Sequence, residues 1–200
     1  MPRLVLASSN RGKLDELREL LSPSGYELIA QSDFGVDDAE ETGSTFVENA
    51  LLKARHVARI TGLPALADDS GLVVDALDGA PGLRSARFAG EHGNASANNA
   101  LLLDRLHDVV GSERRAHFYC ALVLLRGALD PQPLIAEGIW RGAILAAPRG
   151  AQGFGYDPLF LPDGQTLSAA ELDPAMKNRI SHRGQALAAL RERLVESIRC

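Results

Sequence analysis

Four polar clusters hold the residues of this chain that can do chemistry. Ala67-Asp68-Asp69-Ser70-Gly71 sets two carboxylates side by side after an apolar run. Ahead of it lie Ser8-Ser9-Asn10-Arg11-Gly12-Lys13 and an acidic segment that begins at Glu40-Glu41. Behind it lie Gly153-Phe154-Gly155-Tyr156-Asp157-Pro158 and a basic stretch with Lys177, Arg179, Ser181, His182 and Arg183. Carboxylates and cations are segregated along the sequence. That pattern is expected where one wall of a site holds a hard cation such as Mg²⁺ and another holds phosphate oxygens.

Each cluster also has a plainer reading. Residues 8–13 lie at a strand-to-helix turn, where backbone N–H groups and the helix dipole favour an anion. They do not form a Walker loop, because Ala7 stands where the first glycine belongs and Leu14 where the Ser/Thr belongs. Taken alone, the segment is a helix cap with an exposed lysine. Successive strand residues point to opposite faces, so only one of Asp68 and Asp69 is expected to face the site; the alternative is a turn with an Asx hydrogen bond. Glu40-Glu41 alone is a solvated acidic loop. The glycine segment departs from G-x-G-x-x-G at Pro158. It is either a hairpin turn with two packed aromatic rings or a loop that approaches a ligand and offers a base an aromatic face. Ser181-His182-Arg183-Gly184 opens a helix, and the surrounding cations form a basic patch that favours an anionic ligand.

Alternating strands and helices must position these clusters. Residues 4–7 and 26–30 read as short strands, and Leu14, Leu17, Leu20 and Leu21 recur at helical spacing behind an Asn10 cap. Thr45-Phe46-Val47-Glu48 is a capping box, followed by Phe46, Ala50, Ala54 and Val57 on one helical face. Residues 64–67 are expected to form a strand ending at the aspartates, and 72–77 a separate one. Residues 80–94, rich in Gly, Pro and small side chains, read as a long loop, and 97–109 as a helix. The β-type runs 116–125 and 134–145 are expected to pair antiparallel, with Tyr119 and Trp140 as core residues. A last helix carries Leu187, Leu190, Leu194 and Ile198 on one side. The pattern predicts a mixed α/β fold, not a regular βαβ array.

Composition narrows the class. The chain has 200 residues, 46% of them hydrophobic, which suits one domain or two tightly joined lobes with no need of staples. Its net charge of −5 argues against broad binding to nucleic-acid backbone. Cys120 and Cys200 make neither a disulfide framework nor a zinc spacing, which suits a reducing compartment. The N-terminal apolar run is too short for a signal peptide, and no stretch approaches a membrane span. Cytoplasmic residence is expected.

In this order, the motifs at residues 8–13, EETGSTFVENA, LADDSGL, APGLRSARFAG, GFGYDPLF and SHRGQAL resemble those of the inosine triphosphate pyrophosphatase family, in particular its bacterial dITP/XTP type. The likeness runs from Leu4 to about Leu190. It implies a two-lobed fold with a long central sheet and a cleft between lobes, a homodimer, and Mg²⁺-dependent cleavage of non-standard purine nucleoside triphosphates to the monophosphate and pyrophosphate. It places Ser8, Ser9, Asn10, Arg11, Gly12 and Lys13 at the triphosphate. Asp69 would be catalytic acid/base and metal ligand, Glu40 (or its neighbour Glu41) the second carboxylate, and Ser70 a nucleotide contact. Phe154, Gly155, Tyr156 and Asp157 would form the base pocket, completed by Lys177, His182 and Arg183, with Asp68 supporting. Ser8-Ser9-Asn10 replaces the Thr-Gly-Asn or Thr-His-Asn frequent in the family. Two other readings are a Maf-like pyrophosphatase, whose serine pair continues Pro-Arg-Arg, and a nucleotide-binding regulator without turnover, which would lack the acidic residues present here.

Overall fold

A computed structural model describes residues 2–21 and 25–198, with side chains through residue 194. Six strands form one mixed sheet in the order β2-β1-β3-β4-β5-β6. They are β1 (Arg3–Ala7), β2 (Glu27–Ala30), β3 (Ala65–Val74), β4 (Arg115–Leu125), β5 (Leu134–Ile144) and β6 (Phe160–Pro162). The helices are α1 (Arg11–Leu21), α2 (Phe46–Thr61), α3 (Ala95–Arg105), α4 (Pro174–Ile180) and α5 (His182–Ile198). β1 runs parallel to both β2 and β3, and β6 is antiparallel to β5. β4 and β5 are neighbours joined by residues 126–133, too short a link for the crossover a parallel pair requires. The sheet is therefore mixed, as the sequence pattern predicts.

The chain divides into two compact units. The first comprises Met1–Asp69, Cys120–Gly138 and Arg183–Cys200; the second comprises Ser70–Tyr119 and Ile139–His182. Each has its own apolar core. In the first, Leu4, Leu6, Leu66, Cys120, Leu122 and Leu124 turn one face of their strands towards Leu14 and Leu17 of α1 and Leu187 and Leu190 of α5. The period of two along β1 and β3 leaves Val5, Ala7, Ala65 and Ala67 on the opposite face, also buried. Ala50, Ala54 and Val57 are the buried stripe of α2. In the second unit Leu72, Val74, Leu102, Trp140, Leu159 and Phe160 cluster around Phe118. Trp140 is a core residue as expected; Tyr119 is half-buried.

Local signals place the helix starts. Asn10 caps α1, its Oδ1 accepting from the Lys13 N–H at 3.1 Å. Thr45 and Glu48 form the reciprocal capping box of α2, which ends at Gly62 in the left-handed conformation, φ 69°. Asn94, rather than a residue nearer 97, caps α3. Residues 82–87 of the expected long loop coil into a 3₁₀ turn. Ser85 ties that turn to β3, its Oγ accepting from the Leu72 N–H at 2.9 Å. Where α3 and β5 end and β4 begins, the Arg114 guanidinium donates to the carbonyls of Leu106, Val109, Ile144 and Leu145 at 2.7–3.1 Å. At the C-terminus, Leu187, Leu190 and Leu194 pack on the first core; the Ile198 side chain and Cys200 lie outside the described residues.

Three expectations change: α3 ends at Arg105 rather than 109, Asp75–Leu77 coil into a 3₁₀ turn rather than extending a strand, and the break at the aspartates is absent. The strand does not stop at the aspartates and restart at 72; β3 continues from Ala65 through Val74. Two adjacent carboxylates are read as a break because burying them is costly, but here each is neutralised within the fold. No helix among the described residues is long and apolar enough to cross a membrane.

Gly142 of β5 pairs with Pro162 of β6. A Cβ there would collide with the Leu161 carbonyl oxygen and lie 2.7 Å from the Phe160 ring. Gly142→Ala is expected to lower stability by about 1–3 kcal/mol through overpacking, read as a lower urea midpoint at unchanged slope. A midpoint equal to that of the parent would show that β6 moves aside freely.

Candidate active site

The two aspartates of β3 lie on opposite faces of a buried strand, and each meets its own lysine. Asp68 shares the face of Leu66. Its side chain is fully buried, with Oδ1 2.7 Å from the Lys13 ammonium of α1 and Oδ2 2.7 Å from Arg183 Nε of α5. The Cys120 thiol lies 3.3 Å from the same Oδ2. Arg183 also pairs through a second nitrogen with Glu16 of α1. Burial opposes the charge on Asp68, but the Arg183 guanidinium and then Lys13 overcome it and hold the carboxyl well below the usual carboxylate range. The same burial, with Asp68 alongside, pushes the Cys120 thiol well up.

Asp69 shares the face of Ala65 and Ala67. Its Oδ1 lies 2.7 Å from the Lys53 ammonium of α2, which in turn reaches Glu41 Oε1 at 3.1 Å. Burial pushes the Asp69 carboxyl up, and Lys53 and Lys13 offset this only in part, while Glu41 adds to the rise. Lys53 is raised: burial opposes its charge, but Asp69 and then Glu41 prevail. Gly43 allows the acidic segment to fold onto α2, since a Cβ there would lie 2.6 Å from Glu48 Cβ and 2.7 Å from Asn49 Oδ1. That same Asn49 oxygen accepts from the Gly43 N–H at 2.8 Å.

In the N-terminal turn, Ser8 Oγ accepts from the Asn10 N–H at 3.2 Å and Ser9 Oγ donates to Asp38. Arg11 is exposed, Gly12 half-buried. Ser8, Asn10, Lys13, Asp68, Asp69 and Arg183 all lie in the first unit. Glu40 is exposed, whereas Glu41 joins the Lys53–Asp69 pair. Ser70, half-buried, begins the second unit.

That unit carries the glycine segment as a tightly bonded loop. Asp157 Oδ2 accepts from the Phe154 N–H at 2.8 Å and pairs with Lys177 at 2.7 Å. The Lys177 ammonium stands 5.1 Å from the centre of the Phe154 ring. Gly153 has φ +74°, and a Cβ there would collide with Asp157 Oδ2. The Tyr156 hydroxyl donates to the Ser85 carbonyl at 2.9 Å. His182 is buried, its ring stacked on Phe118 with centroids 4.8 Å apart. Phe154, Gly155, Tyr156, Asp157, Lys177 and His182 thus belong to one unit, while Arg183 meets Asp68 in the other.

Sequence reasoning missed Lys53, Asp38 and Glu16. Lys53 left a signal, being a lysine at the flank of the α2 apolar stripe between Ala50 and Ala54, where a solvated side chain is not expected. Glu16 stands one helical turn after Lys13, a spacing that invites a charge pair but names no distant partner.

Arg183→Met should cost about 3–5 kcal/mol, because it leaves a buried carboxylate short of a partner. The sign of the pH dependence follows from Asp68. With its folded-state value depressed, its contribution is complete above the unfolded value near 4 and is lost as pH falls through the folded value. Urea unfolding from pH 7 to 3 should therefore show the stability gap between parent and Asp68→Asn shrinking with acidity. A gap independent of pH would refute the assignment.

The sequence also matches known proteins over nearly its whole length. The model of the Ham1 family matches residues 4–193. The dITP/XTP pyrophosphatase of Xanthomonas oryzae is 61% identical over 194 residues, covering 97% of this chain and 98% of that protein. The protein of the same name from Vibrio cholerae is 51% identical over 200 residues, all of both chains. Among solved structures, a HAM1 protein from Coxiella burnetii superposes with a TM-score of 0.89 at 51% identity, covering 98% of this chain and 100% of that one. A nucleoside-triphosphatase / dITP/XTP pyrophosphatase from Mycobacterium abscessus gives 0.73 at 47% identity, covering 94% and 98%. Sequence and fold agree from end to end, and the chain belongs to the Ham1 family.

Proposed function

We propose that this protein hydrolyses non-standard purine nucleoside triphosphates (ITP, dITP and XTP) to the monophosphate and pyrophosphate, clearing them before they enter DNA or RNA. The observation that carries the reading is the pair of adjacent carboxylates on β3, one locked and one poised, in a chain whose relatives bear the name dITP/XTP pyrophosphatase. Homodimeric assembly and cytoplasmic residence belong to the same reading.

The donor set suits Mg²⁺. Among the described residues no group of three or more His, Cys, Asp or Glu side chains could hold a metal. Mg²⁺ needs only one or two carboxylates, completed by water and phosphate oxygens. Asp69 and Glu41 already converge on one positive charge, the Lys53 ammonium, so they, with Glu40 beside them, are the residues that would hold the ion. Bound there, it would neutralise charge on the triphosphate.

The protein's own groups do the rest. Asp69, with its carboxyl raised by burial, is a better base than a free aspartate and orients the attacking water towards the α-phosphorus. Lys13 exchanges Asp68 for phosphate oxygens, with Ser8, Ser9, Asn10 and the first N–H groups of α1 (Arg11, Gly12) beside it. Asp68 keeps its Arg183 partner after that exchange. Ser70 contacts the nucleotide. Phe154 offers its face to the base, with Gly155, Tyr156, Asp157, Lys177 and His182 shaping the pocket. A 6-oxo purine is chosen by a donor aimed at O6, where adenine carries an amino group. The bonds of Arg183 to Asp68 and Glu16 favour a backbone N–H of the glycine loop for that role.

Incubation with ITP and Mg²⁺ in ¹⁸O-labelled water should yield IMP and pyrophosphate together, with the label in IMP and no diphosphate. Label in the pyrophosphate, or IDP with orthophosphate, would mean attack at another phosphorus and would overturn the placing of Asp69. Nucleotide binding without turnover would favour the regulator. Asp69→Asn should lower kcat by about 10²–10⁴-fold while ITP still binds; a near-parental kcat would remove Asp69 from the mechanism.

A further inference from the structure

Asn99 of α3 makes a bond that helix packing does not require. Its Nδ2 donates to the Gly155 carbonyl at 3.0 Å, across 56 residues of chain. Gly155 O is an acceptor, so the amide must face it with its NH₂ group. The other end, Oδ1, is buried with no hydrogen-bond partner among the described residues. A buried acceptor left unpaired costs more than one ordinary hydrogen bond returns. On stability alone the position is poorly filled, which marks it for a functional explanation.

The neighbouring Asn98 shows what a structural asparagine does. Its Oδ1 accepts from the Ala89 N–H at 2.7 Å and its Nδ2 donates to the Ser85 and Ala86 carbonyls at 3.4 and 3.3 Å, so both ends are used. Asn99 instead spends its one bond on the glycine loop. Gly155 has φ +62° and nothing within 4 Å of its would-be Cβ. Gly155 has no side chain of its own to fix the peptide plane that follows it, so the carbonyl takes its direction from its partner Asn99. Within that planar unit the Gly155 carbonyl and the Tyr156 N–H point in opposite directions. Holding the carbonyl on α3 aims the N–H away from α3.

We propose that Asn99 is a positioning residue for purine selection: by gripping the Gly155 carbonyl it fixes the Tyr156 N–H as the donor to the 6-oxo group. This rests on the reading that the glycine loop meets the base. If the grip is lost, the plane can turn. A 6-oxo purine then loses its donor, while the exposed carbonyl can accept from the 6-amino group of adenine. Discrimination falls from both sides.

The test compares parent, Asn99→Ala and the isosteric Asn99→Asp, which keeps the shape but has no donor when ionised. In both variants the kcat/KM preference for ITP over ATP should narrow by about tenfold or more, carried mainly by KM for ITP. The Asn99→Ala melting temperature should stay within about 3 °C of the parent or rise, because the unpaired oxygen leaves together with the bond. Amide exchange at 153–156 should accelerate in both. An unchanged ITP-to-ATP ratio would overturn the proposal, as would full preference in Asn99→Asp. Equal losses for all substrates with a large fall in melting temperature would reduce Asn99 to a structural role and so also overturn it. A parent protein without ITP hydrolysis would defeat the functional reading alone; amide exchange at 153–156 would still decide whether Asn99 holds the loop.

Discussion

Burial of two neighbouring carboxylates in the middle of a strand is the constraint around which the first unit is built. Asp68 and Asp69 are both inside, and the period of two sends them to opposite faces. An unpaired buried carboxylate is too costly to keep ionised, so each face must bring a cation. One face is served by α1 and α5 through Lys13 and Arg183, the other by α2 through Lys53. The helices are located by charge as well as by their leucine and alanine stripes, and the site is assembled from what keeps the strand intact.

The two aspartates end in unlike surroundings. Asp68 is enclosed by a guanidinium, an ammonium and a thiol and is held firmly ionised. Asp69 shares the Lys53 ammonium with Glu41 and keeps more of its burial penalty. Divergent environments for adjacent carboxylates are how one fold obtains a fixed electrostatic anchor and a working base from the same residue type. Glu16 extends the anchor: with Lys13 one turn away on the same helix, it closes an alternating series of charges, Lys13, Asp68, Arg183 and Glu16, within one unit.

Much of this was legible in the sequence where the signal is local. The Asn10 cap, the Thr45–Glu48 capping box, the leucine stripes and the opposite faces taken by Asp68 and Asp69 all depend on spacings of a few residues. What escaped depends on residues far apart. Nothing near Arg183 reveals that its partner is Asp68, 115 positions earlier. Asp68-Asp69-Ser70-Gly71 read as the end of a strand because its compensating cations come from other elements. Glu41 was named beside Glu40, but its pairing with Lys53 was not, nor was the bond of Asn99 to Gly155, which spans 56 residues. Local chemistry announced the parts; only the topology paired them.

The corner held by Arg114 follows a different logic from the charged centre. Its four acceptors are peptide carbonyls, so neither they nor the guanidinium changes protonation over any ordinary range of acidity. What holds the corner is shape: a planar fork whose separate nitrogens reach the ends of a helix and a strand at once. A lysine, with the same charge concentrated at one atom on a single stem, could satisfy only part of that set and would leave interior carbonyls facing nothing. The fold thus keeps two kinds of fastening, one that answers to the proton and one that answers only to geometry.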